Sequence, residues 1–517
     1  MNAASEQTAE RKSTSVTLTS FLKRSVKHGA IYGIGDILRK LIGFLLIPIY
    51  TRYLTPADYG VLEVLGVTIS IIGLFIIHGM YSAFSRSYLY DYKDNFEQQR
   101  ELFSTTYFYL LGSGILFFTI LTVFSQSING LLFKGDNYLL LLKLSIGICC
   151  LEAIRGFPFA IYRNNFESVK FITLRTIGFT VNISLNIYFI VVKQFGITGI
   201  LIGNLLTSLL ICIIGTFLLK DYFVFRFSIT KLKPMLKFGL PLLPAGIAWF
   251  IFDISDRYFL VHLSGKTELG LYSLAAKFAM IVQFLLLMPL QRVYFASYYP
   301  LAKNDPKNAR YILGRFFTYF CLAGGFVGLG VISLSEPLIK VMADKVFWAS
   351  YKVVPLLAGS AVLLGIIHTL NAGINITGKT KYLPLIVGSA AIVNIGLNIA
   401  LIPKFGMMGA GYATFISYIV YFLICYFVNQ SIYKRNFELL RLLKIGIVII
   451  MILFMGILYR CNSIIIEILY DCFMILLYPM LLYIFRFFTV EEKQKIAIFK
   501  GSVFEMLGAK SNHRSNS

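Results

Sequence analysis

Charge is scarce in this chain. Asp, Glu, Lys and Arg make up 14% of its 517 residues, against 57% hydrophobic residues, and the mean hydropathy is +0.74. So few charges could not keep the surface of a soluble globule wet, which leaves a bilayer as the solvent. Acidic residues are scarcer still, with 25 Asp and Glu against 48 Lys and Arg. The seven cysteines (149, 150, 212, 321, 425, 461 and 472) sit within or at the edges of apolar runs and form no CxxC. They read as small buried hydrophobes, and no metal site is expected. Also missing are a Walker A lysine loop, an HExxH and a GxSxG, which removes the usual routes to ATP hydrolysis or hydrolytic chemistry. The connections on the outer side are about 20 residues or fewer, too short for a domain carrying the paired carboxylates of a membrane glycosyltransferase or polymerase. No catalytic residue is expected, and the chain does not read as an enzyme.

What is present is a series of apolar runs of the length needed to span a membrane, about 20 residues each. Fourteen are readable: 30–50, 61–82, 102–124, 139–162, 171–192, 197–219, 238–263, 270–290, 311–334, 351–376, 382–402, 407–428, 441–459 and 463–486. The expected fold is therefore all-α and membrane-integral, with about 14 transmembrane helices. Six of these runs recur as a set. Val181-Asn182-Ile183-Ser184-Leu185-Asn186-Ile187 returns as Val393-Asn394-Ile395-Gly396-Leu397-Asn398-Ile399, offset by 212. Lys193-Gln194-Phe195-Gly196-Ile197-Thr198-Gly199 is echoed by Lys404-Phe405-Gly406-Met407-Met408-Gly409, offset by 210. A weaker echo relates Pro56-Ala57-Asp58-Tyr59-Gly60-Val61 to Lys266-Thr267-Glu268-Leu269-Gly270-Leu271.

A repeat of six helices, an even number, inserts both halves with one orientation, so the two lobes are parallel and related by an axis along the membrane normal. The expected organisation is an N-terminal tail (1–28), an N-lobe (29–220), a C-lobe (221–429), two appended helices (430–487) and a C-terminal tail (488–517). Cytoplasmic loops carry excess Lys and Arg. Placing both termini in the cytoplasm puts most of the 48 basic residues inside, among them Lys220, Arg226, Lys231, Lys233 and Lys237 in one loop, and only about eight outside. The net charge of +23 is thus an orientation signal, and no nucleic-acid partner is implied. The stretch 1–28 shows no short apolar core with a small-residue cleavage site, so the first span is expected to remain as an uncleaved anchor.

Ionisable residues at bilayer depth are costly and mark cavities or pathways. The first span carries Asp36, Arg39 and Lys40 on one helical face, the fourth Glu152 and Arg155, the seventh Asp253, Asp256 and Arg257, and the eighth Lys277. Five cations against four anions suit a cavity that accepts an anionic head group and lets it go. The alternative is local neutralisation of Asp36 by Arg39 or Lys40, Glu152 by Arg155 and Asp253 by Arg257, which makes those groups structural. Lys277 has no acidic residue three or four positions away on its own helix; another helix supplies a partner, or an anionic ligand does. The Asn182/Asn186 and Asn394/Asn398 pairs read as interhelical hydrogen-bonding residues.

The stretch Gly43-Phe44-Leu45-Leu46-Ile47-Pro48-Ile49-Tyr50-Thr51-Arg52-Tyr53-Leu54-Thr55-Pro56-Ala57-Asp58-Tyr59-Gly60 resembles the opening signature of polysaccharide biosynthesis proteins. These are Wzx-type lipid-linked oligosaccharide flippases of the multidrug/oligosaccharidyl-lipid/polysaccharide exporter superfamily. The helix ending Lys404-Phe405-Gly406-Met407-Met408-Gly409-Ala410 is similar to that family's eleventh span. The resemblance implies transfer of an undecaprenyl-pyrophosphate-linked oligosaccharide from the cytoplasmic to the outer leaflet of a bacterial inner membrane by alternating access. It implies pyrophosphate contacts from Arg39, Lys40, Arg257 and Lys277, to which Arg155 is added on the depth of its span. A coupling or charge-balancing role falls to Asp36, Glu152, Asp253 and Asp256, with H+ or Na+ as the coupling ion and no other cofactor. Polysaccharide polymerase and chain-length proteins are the implied partners. A cation-coupled drug exporter and a flippase for another lipid-linked glycan, such as lipid II, are the competing readings.

Overall fold

The computed structural model describes residues 44, 46–93, 95–458 and 463–494. Within these residues the protein is helical and has no strand. Eleven helical stretches are long and apolar enough to cross a membrane, so the chain is a multi-pass membrane protein. The helices used below are α1 (Pro56–Ile77), α2 (Phe96–Val123), α3 (Leu139–Asn164), α4 (Ser168–Ile187), α5 (Gly196–Leu218), α6 (Ile229–Gly239), α7 (Leu242–Leu263), α8 (Lys266–Val282), α9 (Pro306–Met342), α10 (Val354–Leu370), α11 (Tyr382–Ile432), α12 (Leu439–Leu458) and α13 (Ile464–Ile484). Eleven is fewer than the fourteen runs in the sequence, for identifiable reasons. The first run lies almost wholly outside the described residues. The run at α3 carries Lys143, Glu152, Arg155 and Arg163, which dilute its apolarity. Two further runs lie end to end in α11, where the non-helical backbone of Gly406 separates two helices that count as one stretch.

Local chemistry explains the motifs. Thr55 caps α1: its hydroxyl accepts from the Asp58 amide at 3.2 Å and its own amide donates to Asp58 Oδ2 at 2.9 Å. With Pro56 at the first helical position, the Thr-Pro-Ala-Asp signature is a helix start written in sequence. The repeated turn has the same physical basis in both halves. Gly196 and Gly406, 210 positions apart, both have φ +55°, a left-handed conformation that glycine enters without a Cβ penalty. At the second of these turns the Met407 amide is freed from its helix and donates to Glu268 Oε2 at 2.7 Å.

The chain packs as two compact units. The first contains the described residues up to Lys277, Met342–Val353 and Val387–Ser417. In it an aromatic cluster joins three helical segments, with the Phe157 ring centroid 5.4 Å from Phe103 and 5.6 Å from Phe84. A close helix crossing in this unit lies between α1 and α8, at Gly60 and Gly270. A Cβ on Gly60 would stand 2.0 Å from the Lys266 carbonyl oxygen, and one on Gly270 1.8 Å from that of Pro56. The weak echo in the sequence is thus the pair of repeat-related positions at which the two backbones touch.

The second unit contains Phe278–Val341, Val354–Ile386 and the described residues from Tyr418 on. Here α9, α12 and α13 share a core of Leu329, Val448, Ile452, Tyr478 and Leu482, and the Tyr478 hydroxyl donates to the Leu322 carbonyl at 3.0 Å. Beyond α13, Thr489 and Glu492 form a second capping box. Glu492 also accepts from Arg315 at 2.8 Å and from Arg441 at 2.9 Å, and so ties the ends of α9 and α12 to the chain after α13.

Candidate functional site

Arg257, on α7, is the best-connected of the expected cavity cations. Its Nε donates to Glu63 Oε1 at 2.6 Å. Its Nη1 donates to Asp256 Oδ1 at 3.1 Å and to the Asp253 backbone carbonyl at 3.2 Å. Asp256 is 5% exposed, and its other oxygen accepts from the Tyr272 hydroxyl and from Thr414 Oγ1 at 3.5 Å. The expected neutralisation of Asp253 by Arg257 does not form. Glu63 reaches the guanidinium from α1 and Asp256 from the neighbouring position, so the Asp253 carboxylate stays exposed and makes no ion pair among the described residues.

Lys277, on α8, finds its partner on another helix, but that partner is a phenol. Its Nζ donates to Tyr59 Oη at 2.7 Å and lies 4.3 Å from the centroid of the same ring, a cation–π arrangement. Tyr59 is 3% exposed and packs edge-on against Phe347 at 5.5 Å. Among the described residues no carboxylate comes within ion-pair distance of Lys277, and its hydrogen-bond partner is the Tyr59 phenol.

Glu152 and Arg155 pair at 2.5 Å within α3, and Ser208 of α5 donates to Glu152 at 3.3 Å. Glu152 also lines a cavity of about 380 Å³ with Ser70, His78 and Cys149. Asp36, Arg39 and Lys40 lie outside the described residues. Of the nine expected site residues, the structure therefore pairs Asp256 with Arg257, leaves the Asp253 carboxylate off that guanidinium, sets Lys277 on the tyrosine one turn before Glu63, and keeps Glu152 and Arg155 as a separate pair.

The charge inventory read from the sequence also needs correction. Glu63 stands inside the second apolar run and was not counted, and neither were Lys143, Arg175, Arg315, Glu467 and Asp471 in later runs. The signal for Glu63 was available: a carboxylate in the middle of Val61-Leu62-Glu63-Val64-Leu65 must find a cation or a cavity. Two of the other omissions are balanced by neighbours, Arg315 by Glu492 and Glu467 by Lys340 at 3.5 Å.

The asparagines join helices. Asn182 of α4 donates to Asn204 of α5 at 2.8 Å, and Asn186 donates to Tyr50 Oη at 3.2 Å. In the second half Asn398 donates to Asn394 at 2.9 Å, which accepts from Ser255 of α7 at 3.3 Å. Among the described residues no group of three His, Cys, Asp or Glu side chains is placed to hold a metal ion. What the arrangement can do is bind an anion. It offers the Lys277 ammonium as a point charge, beside an Arg257 guanidinium whose fork suits a phosphate but whose Nε and Nη1 here hold Glu63 and Asp256.

Comparison with known proteins gives this chemistry a setting. The chain is 25% identical over 426 residues to an Lsg locus protein of Haemophilus influenzae, covering 71% of this chain and 96% of the relative. It is 24% identical over 428 residues to the capsular polysaccharide biosynthesis protein CapF of Staphylococcus aureus, covering 80% and 100%. Its fold is similar to that of the lipid II flippase MurJ in an inward closed conformation, with TM-score 0.68 and 18% identity over 89% of this chain and 99% of that one. An inward-facing multidrug resistance transporter of the MATE family and MOP superfamily shares the fold at TM-score 0.62 and 14% identity, over 76% and 96%. The sequence pattern of one family matches residues 49–350, more than half of the chain, and by that match the protein belongs to the polysaccharide biosynthesis protein family.

Proposed function

We propose that the protein is a flippase that carries an undecaprenyl-pyrophosphate-linked oligosaccharide from the cytoplasmic to the outer leaflet of a bacterial inner membrane by alternating access. The observation that carries this reading is Lys277: an ammonium within a membrane helix, held by a phenol rather than a carboxylate, in a chain of the polysaccharide biosynthesis family. A charge left without a counter-ion in a low-dielectric site is expensive unless a ligand supplies one. A pyrophosphate supplies it while sugars of any kind remain outside the charged contact. The glycan is too polar for hydrocarbon and the polyprenyl tail too apolar for water, so the protein shields the head and leaves the tail in lipid. In this reading Arg39, Lys40 and Arg257 complete the pyrophosphate site, Arg155 stands beside it, and Asp253 or Asp36 takes the coupling ion, H+ or Na+. The reading includes fourteen spans, two six-helix lobes with two appended helices, cytoplasmic termini, and work alongside polysaccharide polymerase and chain-length proteins.

A drug exporter of the same fold needs an acidic cavity for cationic substrates, and the exposed Asp253 is the residue such a reading would use. Deletion of the gene separates the two. Lipid-linked repeat units accumulate in the cytoplasmic leaflet and sensitivity to cationic dyes is unchanged if the flippase reading holds. Unaltered glycolipid pools with new dye sensitivity overturn it. In the complemented strain, Lys277→Ala abolishes surface glycan with normal protein in the membrane; full activity of the folded variant removes Lys277 from the site.

A further inference from the structure

Arg257 spends Nε on Glu63 and Nη1 on Asp256, so neither edge of its guanidinium is free to hold a phosphate through two parallel bonds. For that, one acid has to leave. Asp256 is buried and held by Arg257, Tyr272 and Thr414 together. Glu63 is more exposed, at 26% of its side chain against 6% for Asp256, and among the described residues it accepts from Arg257 alone. We infer that the Glu63 carboxylate is an internal stand-in for the substrate's phosphate: it occupies the Nε edge of Arg257 and is displaced from it when a pyrophosphate binds.

The inference rests on the flippase reading and adds a positioning residue to it. Glu63 and Arg257 are 194 positions apart, on α1 and α7, and their bond ties one repeat half to the other within the first unit. It lies one helical turn from the Gly60 and Gly270 contact. Breaking the bond therefore releases α7 from α1 beside that contact as the ligand arrives. Tyr59 and Glu63 are four residues apart and share one face of α1, and Tyr59 holds the Lys277 ammonium, which stays open to the substrate's phosphate while Glu63, the more exposed acid, turns away. A monoanion is a weak competitor for this edge; a diphosphate, with more charge and two or more oxygens for the guanidinium fork, is a strong one.

The test uses the full-length chain in lipid nanodiscs, with undecaprenyl pyrophosphate as the probe and undecaprenyl monophosphate for comparison. In the wild type, undecaprenyl pyrophosphate raises hydrogen exchange in 56–66 and 252–260, and the monophosphate does so less. Glu63→Gln keeps the shape and removes the charge. It shows the raised exchange without any lipid, and its half-saturation by undecaprenyl pyrophosphate falls by up to about fivefold, the worth of one partly exposed ion pair. Glu63→Asp retains both wild-type properties. A Glu63→Gln protein of wild-type melting temperature, with unchanged exchange and unchanged half-saturation, overturns the stand-in while leaving the flippase reading intact. A wild type that binds neither lipid overturns both. If Glu63→Gln fails to fold, the wild-type exchange decides: no rise on binding undecaprenyl pyrophosphate refutes the displacement.

Discussion

Replacing Gly60 with alanine tests the helix crossing on which the site is built. The new Cβ would lie 2.0 Å from the Lys266 carbonyl oxygen and 3.2 Å from the Gly270 amide nitrogen. Both are backbone atoms, so no side chain can rotate away, and α1 and α8 must separate by about 1 Å to restore a normal contact. Two effects oppose each other. Alanine in place of glycine favours a helix by about 1 kcal/mol, whereas overpacking costs about 1–3 kcal/mol and reaches the upper end where the obstacle is backbone. The net expectation is a loss of about 1–2 kcal/mol. Gly66, on the same helix, is the control. A Cβ there meets nothing within 4 Å, so Gly66→Ala keeps only the propensity gain and is neutral or slightly stabilising. The assay is the melting of the purified protein in one detergent, followed by size-exclusion chromatography after heating. Gly60→Ala melts a few degrees below the wild type, and Gly66→Ala does not. Equal melting temperatures for the two variants refute the close crossing.

Topology gives a second outcome: reporter fusions after Tyr222, Asp305 and Glu438 score cytoplasmic and fusions near Asp136 and Asp344 external, and a reversed signal at either set contradicts the orientation read from Lys and Arg. Acid gives a third. Burial disfavours the charged form of Glu492, but hydrogen bonds from Tyr319, the Thr489 amide and Arg315, with the charge of Arg441, outweigh it and hold the carboxyl at about 2. A depressed carboxyl stabilises the fold above its ordinary value near 4.5 and loses that contribution as pH falls toward about 2. Hydrogen exchange around Phe487 therefore rises between about pH 4.5 and 2 in the wild type, and in Glu492→Gln it is already raised at neutral pH and flatter with acid.

Much of this molecule was legible before any coordinate. The membrane class followed from composition. The turns at Gly196 and Gly406 were marked by the echoed motifs around them, because left-handed glycines are decided within a few residues. That Arg257 and Lys277 needed partners was also readable, since the cost of charge in hydrocarbon belongs to the residue and its depth. Helix ends were less so. The sequence separates the runs 382–402 and 407–428, and the non-helical backbone of Gly406 divides the structure into two helices there; but the run read from 61 starts at Pro56 in the structure.

The identity of the partners was not legible. Spacing along one helix pointed Arg257 to Asp253, and the structure gives it Glu63 from 194 residues away; Lys277 receives Tyr59 from 218 residues away. Those choices depend on which faces of α1, α7 and α8 meet, and that is set where Gly60 and Gly270 allow two backbones to touch. A sequence fixes each residue's need for burial, charge or a turn, because those are local free energies. Which distant group meets that need is decided only when helices cross, since a shift of one turn would present a different residue to the same charge.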